Sequence, residues 1–337
     1  MTHSKTLLRK ILPSLILIAG LQSASGQAWV PEKGTGDFST SYNYLSSEGH
    51  LGVNGGREPE AAALAQNALF EVDYGITDRL ALTVFLPIVT IRYNDTNPPP
   101  QFLRELFDQA KQTIGSGVYS HGFLDDGNYH TSLQDFHIDA RYNVALHPLV
   151  VTPFIALVIP SHDYAYVGEA SPGRNLKEFQ FGANIGRQLN PFLRRAYFQS
   201  RIAFTIPEEA MNIRTNRMNI DSELGYSFTR RFAVRGIGSW QYTFSGISSL
   251  DQLTTPELAL THERLLRNRY WHAGAGVSFA LDSKTEVSAD YISFVSGRVT
   301  HYGKSFSIGI SRSFSIGGRR VSTQLISERY CEERPKS

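Results

Sequence analysis

The sequence has 337 residues, with 33 lysines and arginines, 31 aspartates and glutamates, and a formal net charge of +2. This balance gives no reason to expect a nucleic-acid partner, because such proteins carry a basic excess. Aromatic residues make up 12% of the chain and glycine is frequent, which suits tight hairpins and interfacial aromatic rings. The single cysteine, Cys331, cannot form an intramolecular disulfide, and we interpret it as an incidental surface residue.

The first 28 residues are expected to be a secretory signal peptide rather than part of the fold. A short basic segment precedes the apolar stretch 11–21, and small residues follow, so that cleavage is expected after Gly26 or Ala28. The apolar stretch is too short for a stable membrane-spanning helix. Downstream there is no apolar run of about 18 residues, the length that indicates a transmembrane helix.

Residues 68–93 show the pattern that recurs along the chain. Apolar and polar side chains alternate over 68–76 and again over 80–86, separated by the three-residue connection 77–79. Alternation with a period of two predicts strands with one apolar face, and the short connection predicts an antiparallel hairpin. Each strand has about ten residues, the length of a tilted strand that crosses a bilayer. The lack of an amide donor in Pro87 predicts a bulge there, after which the apolar face would shift to Val89, Ile91 and Tyr93.

The alternation predicts about twelve strands in chain order. They cover approximately 38–44, 68–76, 80–93, 136–144, 151–159, 179–185, 196–206, 218–228, 232–244, 271–279, 287–295 and 306–314. Short connections near 77, 147, 190, 230 and 282 alternate with long ones at 46–65, 94–132, 161–177, 207–215, 247–267 and 297–303. This asymmetry is typical of outer-membrane barrels, which have tight periplasmic turns and long external loops.

We therefore predict an all-β fold, a transmembrane antiparallel up-and-down β-barrel over residues 29–316. The alternative is a soluble all-β protein with two sheets, although strands of this length with a fully apolar face are unusual there. The 94–132 loop is expected to contain a short amphipathic helix and to fold over or into the barrel mouth. The polar tail 317–337 would be either a periplasmic extension or the source of an extra strand at 321–326.

The polar face of each strand is expected to line the barrel interior, because charged residues facing lipid cost about 2–4 kcal/mol for arginine or lysine at the midplane. Two interpretations remain open for these inward residues: an ion-pair network that fixes the barrel shape, or a polar pathway that attracts a solute. The predicted lumen residues are Asp135, His137, Asp139, Arg141, Arg201, Arg217, Asp221, Glu223, Arg235, His272, Glu286 and Asp290.

A metal site and an enzyme are the other possibilities that the residues suggest. Asp125, Asp126, Asn128 and Asp135 surround a glycine as in a calcium loop, but their spacing does not match the EF-hand pattern, so we predict no metal and no cofactor. Catalytic residues could be assembled from distant positions without any strained nucleophile motif, so we do not expect an enzyme. Those positions are His162, Asp163, His262, Glu263, Ser288 and Ser293.

Three stretches resemble a bacterial family of outer-membrane transporters that includes proteins of the meta-pathway of phenol degradation. They are the hairpin 74–88, the segment 133–142 and the start of the mature chain at 28–44. The chain departs from the family pattern at Gln134, where glycine is usual. The resemblance implies passage of small, often aromatic or hydrophobic molecules, and it supplies no catalytic residues.

Together these features predict a monomeric channel in the outer membrane for the passive passage of small solutes. Its partners would be outer-membrane lipid, a small-molecule solute and, during biogenesis, the barrel-assembly machinery, because strand 306–314 resembles the aromatic-terminated strand which that machinery recognises. An outer-membrane lipid-modifying enzyme of the phospholipase or deacylase type and a structural or adhesive barrel are the alternative functions.

Overall fold

Most of the described chain forms one antiparallel sheet. The computed structural model describes residues 27–58, 62–94, 105, 108–109, 112, 124–168, 170–249 and 252–316. The strands are β1 (Thr35–Leu51), β2 (Arg57–Glu58), β3 (Ala62–Gly75), β4 (Leu80–Asn94), β5 (His130–Leu133), β6 (Phe136–Tyr142), β7 (Val150–Ile159), β8 (Glu178–Gln188), β9 (Ala196–Pro207), β10 (Arg217–Ser227), β11 (Phe232–Thr243), β12 (Arg269–Ala280), β13 (Thr285–Arg298) and β14 (Thr300–Ser315). The helix α1 (Pro256–Thr261) continues into the 3₁₀ turn His262–Leu265.

The sheet closes on itself as a barrel of twelve long strands. Each long strand pairs antiparallel with its neighbour in sequence, and β14 returns to pair with β1 from Thr35↔Ser315 to Leu51↔Thr300. The short strands β2 and β5 add to β1 and β4 without entering the ring. Closure leaves no unpaired sheet edge, which is the requirement for a sheet that crosses a membrane. The predicted up-and-down barrel is therefore confirmed.

The two sides of the barrel wall differ in the way that a membrane barrel requires. On β7, for example, Ile155 is 56% exposed and Leu157 48% exposed on the outer side, whereas Phe154 and Ala156 are buried on the inner side. Exposed aliphatic rows of this kind recur around the barrel. A contiguous apolar surface of this extent is unfavourable in water and favourable against lipid tails.

Aromatic side chains cluster near both ends of the apolar band. At the short-turn end Tyr74 stacks on Phe314, and Phe228 packs against Tyr226 and Phe232. At the long-loop end the corresponding cluster consists of Phe204, Trp240, Tyr242 and Phe244. Amphipathic rings prefer the membrane–water boundary, so the two clusters mark its level at each end.

The short turns follow the sequence prediction, and three of them are stabilised by a side chain within the turn. Thr77 Oγ1 accepts hydrogen bonds from the amides of Arg79 and Leu80, and Thr229 Oγ1 does the same in the 228–232 turn. The Asp282 carboxylate accepts from the amides of the two residues that follow Ser283. Threonine and aspartate favour such local bonds, which is why these positions turn rather than continue the ladder.

The irregularity predicted at Pro87 is present on one side of β4 only. The pairing of β3 with β4 runs without a register shift through Leu69↔Pro87. On the other side β4 pairs with β6 up to Phe85 and with β5 from Ile88, and the partner chain uses one residue more than β4 across this break. The missing amide of proline therefore falls where the ladder is interrupted. The predicted shift of the apolar face does not occur, because Val89, Ile91 and Tyr93 keep the inward orientation and are buried. The inward apolar residues are covered by loop residues instead of by lipid.

Loop boundaries differ from the prediction in two places. Strand β1 extends to Leu51, which shortens the expected 46–65 loop, and only Val299 separates β13 from β14, where 297–303 was expected to be a loop. Residues 105, 108–109 and 112, where the sequence predicts a helix in the 94–132 loop, are helical. The rest of that predicted helix and the tail 317–337 lie outside the described residues. No helix within the described part of the chain is long and apolar enough to cross a membrane.

Candidate functional site: the barrel lumen

The inner surface of the barrel carries all the residues that the sequence analysis assigned to the lumen. Most of them are buried, and the others are partly exposed to internal space. Strand alternation puts them on one side of the wall, and the curvature of the barrel brings residues of non-adjacent strands into contact. The contacts below show which of these residues meet.

One ion pair links β3 and β6 across the intervening strand β4. The Arg141 guanidinium binds the Asp73 carboxylate and donates a second hydrogen bond to Thr83 Oγ1 at 2.8 Å. Thr83 Oγ1 in turn donates to Asp73 Oδ1 at 3.0 Å. The three side chains form a closed ring of hydrogen bonds, so both charges are compensated inside the barrel.

A second ion pair reaches further across the lumen. Arg201 on β9 donates from Nη2 to Asp139 Oδ2 on β6 at 2.7 Å, passing over β7 and β8. Its guanidinium lies 3.5 Å from the ring centroid of Phe154 and 3.4 Å from the Asn184 amide oxygen. The contact with the aromatic face stabilises the cation where water is largely excluded. The Arg201–Asp139 pair therefore spans part of the lumen between β9 and β6.

A third network joins β9, β10, β11 and β13. Arg235 binds Asp290 through two parallel hydrogen bonds of 2.8 and 2.7 Å, the geometry that a planar guanidinium favours. Glu223 accepts hydrogen bonds from the Tyr197 hydroxyl and, at 3.2 Å, from the amide of Gln199. The Arg235 Nε–Glu223 Oε2 distance of 3.9 Å connects the two groups.

Gly276 makes the bidentate pair possible. It lies on β12, directly between Arg235 on β11 and Asp290 on β13. A Cβ atom at this position would lie 1.9 Å from Asp290 Oδ1 and 2.8 Å from Arg235 Nε. Any side chain here would force the two charged groups apart, so this glycine is required by close approach rather than by a turn.

Glu178 is the centre of a network at the long-loop end. Arg217 Nη1 and Arg174 Nη1 both donate to its Oε1, at 2.9 and 3.0 Å. Arg174 belongs to the 160–177 loop and also donates to Thr215 Oγ1 and, at 2.6 Å, to the carbonyl oxygen of Arg264. Arg174 thus connects its own loop to the segments that contain Thr215 and Arg264, and Glu178 compensates its charge. Desolvation by burial lowers the pKa of the loop residue Arg174 to about 10, so it remains charged at neutral pH.

The same loop is held at a second point. The Tyr164 hydroxyl donates to Asp135 Oδ1 at 2.6 Å, and the amide of Asn175 donates to the Tyr164 oxygen at 2.7 Å. Burial and the adjacent Asp135 raise the pKa of the Tyr164 hydroxyl, so it remains a donor at all physiological pH values. Asp135, assigned to the lumen from sequence, therefore anchors a loop across its entrance.

Further polar groups complete the inner surface. Gln241 accepts from Asn219 at 2.9 Å and from the Tyr270 hydroxyl at 3.0 Å, and it donates to Asn268 at 2.6 Å. His272 stacks on Tyr270 with ring centroids 4.5 Å apart. Sequence alternation predicted this inward row on β12, but its connection to Gln241 follows only from the fold.

The remaining predicted lumen residues lie beside these networks. Asp221 accepts a hydrogen bond from Ser239 at 2.6 Å, and the His137 ring meets the Phe85 ring edge-on at 6.5 Å. Glu286 lies on the inner side of β13 and faces the same space as Glu71. That space is the larger of the two openings described below.

The chain segment before β1 enters the barrel from the short-turn end. Ala28 and Trp29 are buried, the Ala28 carbonyl oxygen accepts from Thr152 Oγ1 at 2.6 Å, and Trp29 packs edge-on against Tyr197 at 6.3 Å. A Cβ atom on Gly186 would lie 2.6 Å from the Ala28 Cβ atom, so glycine leaves room for this segment. The sequence analysis missed this feature, and a tryptophan directly after the expected cleavage site was its only sequence signal.

Two openings among the described residues lie between these groups. The larger spans about 500 Å³ beside the β14–β1 closure, the smaller spans about 310 Å³ near Arg174 at the long-loop end, and both are continuous with solvent. Small hydroxyl side chains line much of the larger opening, because Ser39 and Ser41 on β1 and Ser288 on β13 face inward on either side of β14. It therefore lies where the inner wall carries the shortest side chains.

The structure does not bring the alternative catalytic residues together. His162 contacts the neighbouring Ser161 at 2.9 Å, whereas Asp163 accepts a hydrogen bond from Asn175. The remaining candidates lie in three separate places. His262 and Glu263 lie on a buried loop, Ser288 on the inner wall and Ser293 on the outer wall.

The acidic loop considered for calcium makes other contacts. Asp125 Oδ1 accepts from the amide of Ala170 at 2.8 Å, and Asp126 accepts from the Asn128 amide and contacts His130 Nε2 at 2.8 Å. These bonds lower the pKa of Asp126 to about 2, with the His130 bond as the largest cause. Within the described residues, no three histidine, cysteine, aspartate or glutamate side chains are grouped to hold a metal ion.

Several solved structures are similar to this chain to different degrees. An outer membrane channel from Pseudomonas putida F1 superposes with a TM-score of 0.63 and 10% identity over 87% of this chain and 100% of that chain. The translocator domain of the autotransporter NalP from Neisseria meningitidis gives 0.48 at 7% identity, over 84% and 90%. The NanC porin gives 0.45 at 10% identity, over 82% and 98%.

At these identities the similarity to the Pseudomonas channel shows the fold alone, a closed antiparallel β-barrel. No family model and no curated protein matches the chain. The resemblance to the phenol meta-pathway family therefore stays a prediction.

Proposed function

We propose that this protein is an outer-membrane channel for the passive passage of small solutes through its lumen. The observation that carries the proposal is the polar inner surface, in which charged groups of non-adjacent strands meet around residual openings. If the interior side chains served only to fix the barrel shape, apolar side chains would give a more stable barrel, because buried ion pairs contribute little net stability. The polar interior favours the pathway interpretation.

The charge of the lumen points to the kind of solute. Inward carboxylates outnumber inward arginines among the described residues. The carboxylates are Asp37, Glu71, Asp73, Asp135, Asp139, Glu178, Asp221, Glu223, Glu286 and Asp290, and the arginines are Arg141, Arg174, Arg201, Arg217, Arg235 and Arg264. Rings of carboxylates favour cations in channels. We expect the open pathway to prefer cations over anions.

An apolar patch at the long-loop end favours solutes with an apolar part. Leu45, Val89 and Ile91 face inward there and contact Leu124 and Ala170 of the loops. Such a surface binds apolar groups once the loops move, which fits the aromatic or hydrophobic molecules that the family resemblance implies. A liposome uptake assay comparing a phenol with a sugar of similar size tests this, and equal uptake of both would count against it.

The ends of the pathway are closed by separate elements. Trp29 and its neighbours occupy the lumen at the short-turn end, and the 160–177 loop crosses it at the other. Trp29 would stay in the mature protein after cleavage at either expected site, and cleavage after Gly26 would also leave Ala28 there. Opening would then require movement at both ends, while the wall stays fixed.

Planar-bilayer recordings of the purified protein test the proposal. We expect cation-selective conductance, measured as a reversal potential in a salt gradient. The double variant Glu71→Gln/Glu286→Gln should lower that selectivity, because both carboxylates line the larger opening. The matched control is Glu209→Gln on an exposed loop, which should leave the selectivity unchanged. No conductance or solute flux under any condition would contradict the channel.

The other candidate functions are distinguished by direct assays. Lipase and deacylase assays address a lipid-modifying enzyme, for which the structure shows no assembled group of catalytic residues among the described positions. For an adhesive barrel, deletion of residues 94–132 should abolish binding to a partner without unfolding the barrel.

A further inference from the structure

The short-turn end of the barrel has an excess of positive charge. Seven exposed arginines lie there, and no short ion pair joins any of them to a described carboxylate. They are Arg79, Arg187, Arg194, Arg195, Arg230, Arg231 and Arg312. They outnumber the exposed carboxylates of the same end, which are Glu32, Asp78 and Asp282. Asp282 attracts Arg312, but it accepts its hydrogen bonds from the amides of its own turn. The end therefore presents a basic ring around the barrel.

Two of these arginines point away from the barrel axis. Arg187 pairs in register with Phe198, and Arg312 pairs with Phe38, whose side chains face outward. Each arginine thus continues a lipid-facing apolar row. Arg312 is further oriented by a hydrogen bond of 2.9 Å from its Nη1 to Thr285 Oγ1. A guanidinium in this position reaches the lipid headgroups while its stem stays against the acyl chains.

The level of the basic ring matches the headgroup region. The aromatic cluster of Phe228 and Phe232 marks the edge of the apolar band, and Arg230 and Arg231 lie in the turn between them. The Arg195 guanidinium donates to the Phe228 carbonyl oxygen at 2.9 Å, which holds it at the same level. The ring therefore lies beside phosphates of the inner leaflet rather than out in the aqueous periplasm.

The long-loop end shows a different arrangement. Lys304 pairs with Glu48 at 2.8 Å and Arg214 pairs with Glu209 at 3.4 Å. The Arg57 guanidinium lies 4.8 Å from the Tyr302 ring centroid. These three cations have partners within the protein, whereas Arg298 at the same end is exposed and forms no ion pair with a described carboxylate. The two ends therefore differ in the number of exposed arginines without a carboxylate partner.

We propose that this basic ring is a binding surface for anionic phospholipid headgroups of the inner leaflet, with the net negative charge of the headgroup, carried by its phosphate, as the recognised feature. Arg187 and Arg312 contact the headgroups directly, and the turn arginines add attraction from the aqueous side. Near an anionic membrane surface each basic residue contributes roughly a fivefold preference before salt screening. The surface acts on lipid, so it is independent of the solute pathway.

Native mass spectrometry of protein released from nanodiscs tests this inference. The nanodiscs contain equal amounts of phosphatidylcholine and phosphatidylglycerol, and the measured quantity is the ratio of the two lipids retained. The variant is Arg187→Gln/Arg312→Gln. The matched control, Arg57→Gln/Arg298→Gln, removes two exposed charges from the opposite end.

We expect the wild-type protein to retain phosphatidylglycerol preferentially. The short-turn variant should lose at least about fivefold of that preference, and the control should keep it. Equal retention of both lipids by the wild type, or a preference that survives in the short-turn variant, would overturn the proposal. Polyglutamate binding that depends on the same two arginines, without any lipid preference, would assign the surface to an acidic protein instead.

Discussion

Replacing Glu178 with glutamine removes the carboxylate that compensates two arginines inside the barrel. The Glu178 side chain is 5% exposed, and those of Arg217 and Arg174 are 6% and 11% exposed. Breaking a buried pair by removing one partner costs about 3–5 kcal/mol, since the remaining charge is left without compensation. Two charges lose their partner here, so we expect the upper part of that range.

Glu209 provides the matched control. It forms an ion pair with Arg214, but both side chains are about half exposed, 48% and 50%. Exposed pairs of this kind contribute about 0.2–1 kcal/mol. The free energy of unfolding of both variants can be measured by urea unfolding in detergent. The readout is the difference in gel mobility between the folded and the unfolded barrel.

The same substitution has a functional consequence. Arg174 belongs to the 160–177 loop, and it forms an ion pair with Glu178. Glu178→Gln should loosen that loop and raise single-channel conductance. A Glu178→Gln variant that is destabilised no more than Glu209→Gln, and that conducts like the wild type, would refute this account of the network.

Three further predictions concern other parts of the barrel. Trp29→Ala should raise conductance without unfolding the wall, and unchanged current in bilayers would mean that Trp29 does not obstruct the lumen. Burial lowers the pKa of His262 from 6.5 to about 4. As pH falls from 6.5 to 4, the histidine therefore binds a proton more readily when its segment is unfolded than when it is folded. This should lower the free energy of unfolding of the 247–268 segment by about 3 kcal/mol. Hydrogen exchange of that segment should show this loss, and His262→Asn should flatten it. Ile155→Arg on the outer wall should cost about 2–4 kcal/mol in urea unfolding, and no cost would argue against lipid contact there.

Strand positions and sidedness were predictable because they depend on local alternation. The period of two on β7 and β12 fixes which side chains share a face, and Thr77 and Asp282 identify turns by their own hydrogen bonds. At Pro87 the ladder on the β5 and β6 side of β4 is interrupted as expected, but the alternation continues through it, so the predicted shift of the apolar face was wrong. Local sequence does not show that only one of the two neighbouring strands is affected.

Contacts across the lumen were not predictable, because they depend on closure of the barrel. Asp139 and Arg201 are 62 positions apart in sequence and come together only through the stagger of the strands between them. The site that Trp29 occupies was unpredictable for the same reason, because Tyr197 and Gly186, which form it, are far from Trp29 in sequence. Alternation identifies an inward residue but does not identify its partner.

Modification of a cysteine placed in the lumen tests most directly whether solutes pass through the barrel. In a Cys331→Ser background, Ser288→Cys faces the larger opening, whereas Ser293→Cys lies on the outer side of the same strand. A charged thiol reagent should reduce the current through the Ser288→Cys protein and leave the Ser293→Cys current unchanged. Equal currents before and after complete modification of Ser288→Cys would contradict a solute pathway through the lumen.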